Sequence, residues 1–191
     1  MVVRPTAPPL TIEHYRNLPE TGPRYQLVDG DLYMAPAPNR FHQEISRNLE
    51  FLLMKYLEEH PVGVLYHAPF DVYLTETDVF QPDILVVLNK HRHILTDAGA
   101  EGCPDFVVEI LSPKTRRLDL ENKMRTYARM GVQELWIIDP DSLQILVYQF
   151  SKDLSNPVEK FQVGDVLRSA LFPGFHADLR TVFGSWEQQQ F

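Results

Sequence analysis

The sequence predicts an α/β (α+β) fold, in which helices flank a mixed central β-sheet and a β-hairpin lies near the N-terminus. Three observations predict it: a two-residue turn between short strand-like runs, two segments with apolar residues at helical spacing, and short runs rich in Val, Ile and Leu. The 191 residues are 44% hydrophobic, which is enough to bury one core. We expect a single domain over residues 11–185, between a Pro-containing flexible arm at 1–10 and a tail at 186–191.

The first half of the chain contains the clearest turn and capping signals. Asp29-Gly30 is the residue pair that two-residue hairpin turns prefer. Asn39 can cap a helix that continues to about His60, because apolar residues recur there at helical spacing. Three predicted strands follow, which we expect to be consecutive neighbours in a meander, at residues 63–67, 70–74 and 83–88.

The second half repeats the alternation of strand and helix. The run DFVVEILSP is typical of a buried strand that ends at Ser112-Pro113. A second amphipathic helix, with Leu120, Met124 and Tyr127 on its buried face, should end at Gly131, a residue type favoured just after helices. Two further strands, ELWIIDP and LQILVYQF, complete the predicted sheet.

Composition excludes several classes of protein. Cys103 is the only cysteine, so neither an internal disulfide nor a thiolate-rich zinc site is possible. No apolar run approaches the ~20 residues of a membrane helix, and we expect a cytoplasmic protein. The net charge of −8 disfavours non-specific wrapping of polyanions. Residues 114–129 are an exception, with six basic and two acidic residues, which a solvated helix face would also explain.

Glu109 lies in the middle of the buried run DFVVEILSP and needs a partner, because an isolated buried carboxylate is costly. Asp105 is on the same side of the strand but about 13 Å away, too far to share an ion with Glu109. Asp83, at the start of another buried run, is the better candidate. Two carboxylates and the carbonyl of Ile110 suit Mg²⁺, which keeps several of its waters. Alternatively, Asp83 only begins a strand and Glu109 pairs with an arginine.

Two helical side chains could complete such a site. Lys123 lies at the edge of the buried face of the second helix, although an ordinary ion pair with Asp119 four residues earlier would also account for it. His42 points from the first helix towards the core, where it could contact a phosphate or support the metal ligands. A histidine at such a position is more often a satisfied core residue. We assign no role in the site to His91 or His93.

The ordered series of these residues resembles the Uma-two family of restriction-endonuclease-like proteins, a branch of the PD-(D/E)xK nuclease superfamily. The series comprises Pro82-Asp83, Glu109–Pro113, Thr115, Asp119, Lys123, Tyr127, Gly131 and Trp136–Pro140. The resemblance implies a restriction-endonuclease-like core with a divalent metal on Asp83 and Glu109. The superfamily usually has its lysine two residues after the second acid, where this chain has Leu111, and Lys123 is the matching position of the resembled family.

The resulting expectation is an Mg²⁺-dependent endonuclease, with Mn²⁺ able to substitute, that hydrolyses phosphodiester bonds of nucleic acid, with DNA favoured over RNA. The expected catalytic residues are Asp83, Glu109, Lys123, Tyr127 and His42, and the expected metal ligands are Asp83, Glu109 and Ile110. The resemblance also makes a homodimer plausible. The alternative is a catalytically inactive domain of the same fold that acts in protein assembly or regulation. The negative charge of the chain outside residues 114–129 supports this alternative.

Overall fold

A computed structural model gives the structure of the chain and describes residues 8–19, 21–35 and 37–184. The first seven residues of the predicted arm and the predicted tail lie outside the described residues. The elements are α1 (Ile12–Arg16), β1 (Tyr25–Val28), β2 (Asp31–Met34), α2 (Arg40–Glu59), β3 (Gly63–His67), β4 (Val72–Thr75), β5 (Asp78–Phe80), β6 (Ile84–Leu88), a 3₁₀ helix (Asn89–Ile94), β7 (Leu95–Thr96), β8 (Gly99–Ala100), β9 (Phe106–Ile110), a π-helix (Leu118–Lys123), α3 (Met124–Met130), β10 (Glu134–Asp139), β11 (Gln144–Tyr148), β12 (Glu159–Gln162), β13 (Val166–Arg168), β14 (His176–Asp178) and α4 (Leu179–Phe183).

The hairpin and the cap of the first long helix are confirmed. Asp29 and Gly30 have φ values of 50° and 83°, and the flanking strands β1 and β2 pair antiparallel across them. The side chain of Asn39 accepts a 2.8 Å hydrogen bond from the backbone N–H of His42 at the start of α2. Leu10, near the end of the predicted arm, hydrogen bonds to Gly30 and so lies against the hairpin turn.

The central sheet is mixed, as predicted, and helices flank it. Its strands lie in the order β12-β11-β10-β9-β6-β3, in which β9 and β10 are parallel and the other neighbours are antiparallel. A second six-stranded sheet has the order β2-β1-β5-β4-β8-β7. The predicted meander is wrong, because β3 pairs directly with β6 whereas β4 folds back on β5 and joins the N-terminal hairpin in the second sheet.

Two apolar clusters cover the two faces of the central sheet and place the helices. Phe106 and Val108 of β9 pack in the cluster that contains Ile45, Leu49 and Leu53 of α2. Val107, on the opposite face of β9, packs in the cluster that contains Tyr127 of α3. Because side chains alternate along a strand, Glu109 faces α3.

The predicted second helix begins with a turn of π-helix. The backbone N–H of Met124 bonds to the carbonyl of Asp119, five residues earlier, and the chain then continues as α3. Gly131 ends the helix with a φ of 89°, as expected for a residue after a helix C-terminus. Within the part of the chain that the structure describes, none of the helices has the length and apolar character to cross a membrane.

Candidate active site

Lys123 and Tyr127 are the partners of the carboxylate inside strand β9. Glu109 is only 3% exposed, and the ammonium of Lys123 lies 3.1 Å from both of its carboxylate oxygens. The hydroxyl of Tyr127 donates a 2.6 Å hydrogen bond to Oε1 of the same carboxylate. Tyr127 therefore holds Glu109 directly.

Asp119 is a buried member of this cluster that the sequence did not place in the site. Its Oδ1 lies 3.0 Å from Lys123 Nζ, and both side chains are almost fully buried. The ion pair considered as the alternative role for Lys123 is thus present, but it is shared with Glu109. Asp119 and Lys123 both lie in the π-helix, whose turns are wider than those of an α-helix, and both side chains are buried there.

Asp83 reaches the same site from the neighbouring strand. It immediately precedes β6, which runs antiparallel to β9 with Ile84 opposite Val108. Its Oδ2 accepts a 2.7 Å hydrogen bond from the backbone N–H of Ile110. Asp105 is excluded as a second ligand by its distance from Glu109, and its carboxylate instead accepts a 2.8 Å hydrogen bond from the backbone N–H of Leu88.

His42 approaches Asp83 from the other face of the sheet. Its Nε2 lies 3.3 Å from Asp83 Oδ1, while its buried Nδ1 has no hydrogen-bond partner among the described residues. Burial lowers the pKa of His42, but the hydrogen bond to Asp83 and the charge of Asp83 raise it. The charge of Glu109 and the backbone of Ile110 also raise it, and the net result is a raised pKa. His42 therefore belongs to this site and is not an isolated core histidine.

The cluster contains more negative than positive charge. Burial raises the pKa of Glu109 to about 8; Lys123 opposes that shift, and Asp119 and Asp83 add to it. Burial disfavours the Lys123 ammonium, but Asp119 and Glu109 more than compensate and raise its pKa. Three carboxylates thus face one ammonium, and this excess of negative charge adds to the effect of burial in raising the pKa of Glu109.

Comparison with known proteins identifies the family. The model of the Uma2 family, described as "Putative restriction endonuclease", matches residues 12–180. The chain belongs to the Uma2 family. A protein of Synechocystis sp., described as "Uncharacterized protein slr1290", is 24% identical over 148 residues, which is 75% of each chain.

A crystal structure shows the same fold as this Uma2 chain. It is described as that of "a putative nuclease belonging to DUF820 from Anabaena variabilis" and aligns with a TM-score of 0.76 at 20% identity. The alignment covers 92% of this chain and 98% of the other. The likeness confirms the predicted restriction-endonuclease-like fold, with a mixed sheet between helices.

The structure explains how a lysine on a helix can serve this Uma2 site. Leu111 occupies the position at which the superfamily usually has its lysine, and it is buried in the apolar cluster around Tyr127. Lys123, from the π-helix above, brings its ammonium to the Glu109 carboxylate instead. The site therefore keeps a carboxylate–ammonium contact although the lysine comes from another element.

A cavity of about 640 Å³ gives access to the cluster. Its walls include five of the candidate residues together with Asp119, namely His42, Asp83, Glu109, Ile110 and Lys123. Tyr127 is not in the wall and lies behind Glu109. Both Lys114 and Arg24 also line the cavity.

The donor set fits a hard divalent cation bound by few protein ligands. Among the described residues, no group of three or more His, Cys, Asp or Glu side chains is arranged to hold an ion. Mg²⁺ does not need such a cage, because it commonly takes one or two carboxylates and keeps its waters. The excess of buried carboxylates and the raised pKa of Glu109 are what a site completed by a further cation would show.

Most of the basic side chains at residues 114–129 form ion pairs with acidic residues of the same chain. Arg116 binds Asp139 through two hydrogen bonds of 3.1 and 2.7 Å, and Arg129 lies 3.4 Å from Asp78. Lys114 makes no ion pair within the described part of the chain and lines the cavity. Within the described part of the chain, only a subset of these basic side chains is therefore available to a ligand in the cavity.

Proposed function

We propose that this Uma2 protein is a metal-dependent nuclease that hydrolyses phosphodiester bonds of nucleic acid, with DNA as the expected substrate. The observation that carries the proposal is the buried contact of Lys123 with Glu109 and Asp119 in a cavity that also contains Asp83. Buried carboxylates beside a lysine form a site for a cation and a phosphate together. The description of the family as restriction endonuclease agrees with this chemistry.

Asp83, Glu109 and the backbone carbonyl of Ile110 would hold the ion, for which we propose Mg²⁺, with Mn²⁺ as a substitute. When bound, the ion supplies positive charge at the phosphate and lowers the pKa of a bound water. Oxygen ligands and a small number of protein donors favour Mg²⁺ over softer metals. The raised pKa of Glu109 implies that ion binding releases the proton that this carboxyl holds at neutral pH.

The protein side chains have separate tasks in the proposed reaction. Water attacks phosphorus and gives a proton to solvent, the bond from phosphorus to the leaving oxygen breaks with its electron pair on that oxygen, and the leaving oxygen takes a proton from solvent. The ammonium of Lys123 stabilises the negative charge that develops on the phosphate oxygens, since it is held in a buried site where such interactions are strong. Tyr127 fixes the Glu109 carboxylate, and Asp83 orients His42 for contact with the phosphate.

Cutting both strands of a duplex needs a second active site, and a homodimer would supply it. We include a homodimer in the proposal for that reason. Sedimentation velocity on the purified protein tests it, and a purely monomeric protein that still linearises plasmid would contradict this part of the proposal.

Cleavage of supercoiled plasmid and of single-stranded DNA in Mn²⁺ tests the function. The wild type is compared with Glu109→Ala and Lys123→Ala, and the controls Glu159→Ala and Lys160→Ala remove the same charges from exposed positions on β12. We expect cleavage by the wild type and both controls, and a loss of at least 100-fold in both site variants. Equal cleavage by all five preparations would indicate a contaminant. No cleavage and no metal binding by a folded wild type would favour the inactive assembly domain.

A further inference from the structure

A second cavity lies beside the candidate active site. Its volume is about 680 Å³, and it shares Lys114 and Thr115 with the first cavity. One wall is the edge strand β2, through Tyr33 and Met34. The other wall is the segment around the π-helix, namely Arg117, Leu118, Glu121, Asn122 and Arg125. We refer to this cavity as the hairpin groove.

The hairpin groove combines exposed apolar surface with positive charge. Met34 is 61% exposed and Tyr33 39% exposed, so both present apolar surface to solvent in the groove. Three basic residues line the groove, Lys114, Arg117 and Arg125, and Glu121 is the single acidic one. The groove is thus locally basic on a protein whose net charge is −8.

The arginines of the groove remain available to a ligand. Arg117 pairs with Glu121 at 2.9 Å and Arg125 with Asp29 at 3.0 Å, and all four side chains are largely exposed. Exposed ion pairs contribute little, so a phosphate can replace the carboxylate at small cost. Lys114 has no ion pair among the described residues and stands at the junction with the active-site cavity.

We propose that the hairpin groove binds a single strand of nucleic acid and leads it into the active site, so that single-stranded or locally unpaired DNA is the preferred substrate. The inference rests on the proposed nuclease function of the adjoining cavity. Tyr33 stacks on a base, and the three basic residues contact phosphates. A solvent-exposed aromatic ring can stack in this way only on a base whose face is free, and a duplex hides those faces.

Binding measured without cleavage tests the groove directly. Fluorescence anisotropy in EDTA compares the binding of a 20-nucleotide oligothymidylate with that of a 20-base-pair duplex. The proteins are the wild type, Tyr33→Ala and Lys114→Ala. Phe51→Ala and Lys160→Ala are the matched controls, an exposed aromatic on α2 and an exposed lysine on β12. We expect the single strand to bind at least tenfold more tightly than the duplex. Tyr33→Ala should raise its Kd about tenfold, and Lys114→Ala should reduce the salt slope by about 0.7.

Two results would overturn the inference. One is a duplex that binds the wild type as tightly as the single strand. The other is a Kd for Tyr33→Ala and Lys114→Ala within twofold of the two controls. Cleavage by the wild type separates failure of this inference from failure of the nuclease proposal. If the wild type cleaves DNA and Tyr33→Ala binds it normally, only the role of the hairpin groove is refuted. If the wild type does not cleave but Tyr33→Ala loses binding, only the nuclease proposal is refuted.

Discussion

Replacing Glu109 by Gln should change how stability depends on pH. The carboxyl is buried, and its pKa is raised from 4.5 to about 8 in the metal-free protein. Between these two values the folded chain holds a proton that the unfolded chain has lost, so the free energy of unfolding falls as the pH rises. Each pH unit in this window lowers the free energy of unfolding by up to about 1.4 kcal/mol. From pH 6 to pH 9 the wild type should lose about 2–3 kcal/mol of unfolding free energy through this group alone.

The Gln variant lacks that loss, because an amide of the same shape cannot ionise. Urea unfolding of both proteins in EDTA, at each pH from 6 to 9, gives the difference in unfolding free energy, in which the titration of shared groups largely cancels. We expect the difference to move by about 2–3 kcal/mol in favour of Glu109→Gln as the pH rises. A difference that stays constant within about 0.5 kcal/mol would refute the raised pKa of Glu109 and, with it, the excess of negative charge in the site.

Four further substitutions test individual contacts. Tyr127→Phe removes the 2.6 Å hydrogen bond to Glu109 and should lower the unfolding free energy by about 1–2 kcal/mol in urea melts. Lys123→Met leaves the carboxylates of Asp119 and Glu109 facing each other, so we expect a loss of about 3–5 kcal/mol at pH 8; a variant as stable as wild type would contradict the buried pair. Asp119→Asn removes a charge that raises the Lys123 pKa, so the alkaline limb of the pH–kcat profile should move to lower pH with KM unchanged. Asn39→Ala removes the α2 cap and should cost about 1 kcal/mol in thermal melts, without altering that profile.

The features that the sequence predicted well are those fixed by local chemistry. The Asp29-Gly30 turn needs two residues with positive φ, and Asn39 is a preferred cap, so both can be identified from a few neighbouring residues. Strand geometry favoured Asp83 over Asp105 as the carboxylate near Glu109, because four residues of extended chain separate Asp105 too far and an adjacent strand can bring a carboxylate close. Asp83 and Glu109 line the same cavity, whereas the direct partners of Glu109 are Lys123 and Tyr127.

The features that the sequence missed depend on a change of helical period or on distant pairing. A regular α-helix places Lys123 at the edge of the buried face and leaves Asp119 as an ordinary surface partner, whereas the π-helix turns both inward. Nothing in the local pattern signals that turn. The pairing of Arg125 with Asp29, 96 residues apart, likewise depends on how the hairpin packs on the helix.

Divalent-ion binding at Asp83 and Glu109 is tested most directly by titration calorimetry with Mn²⁺ at pH 7, in buffers of different ionisation enthalpy. The wild type should bind Mn²⁺ and release about 0.9 proton per ion, because Glu109 with a pKa of about 8 is mostly protonated at that pH. Glu109→Gln should bind at least 100-fold more weakly, while Glu159→Gln, an exposed control on β12, should match the wild type. Equal affinity and equal proton release in all three proteins would contradict a metal site at Glu109.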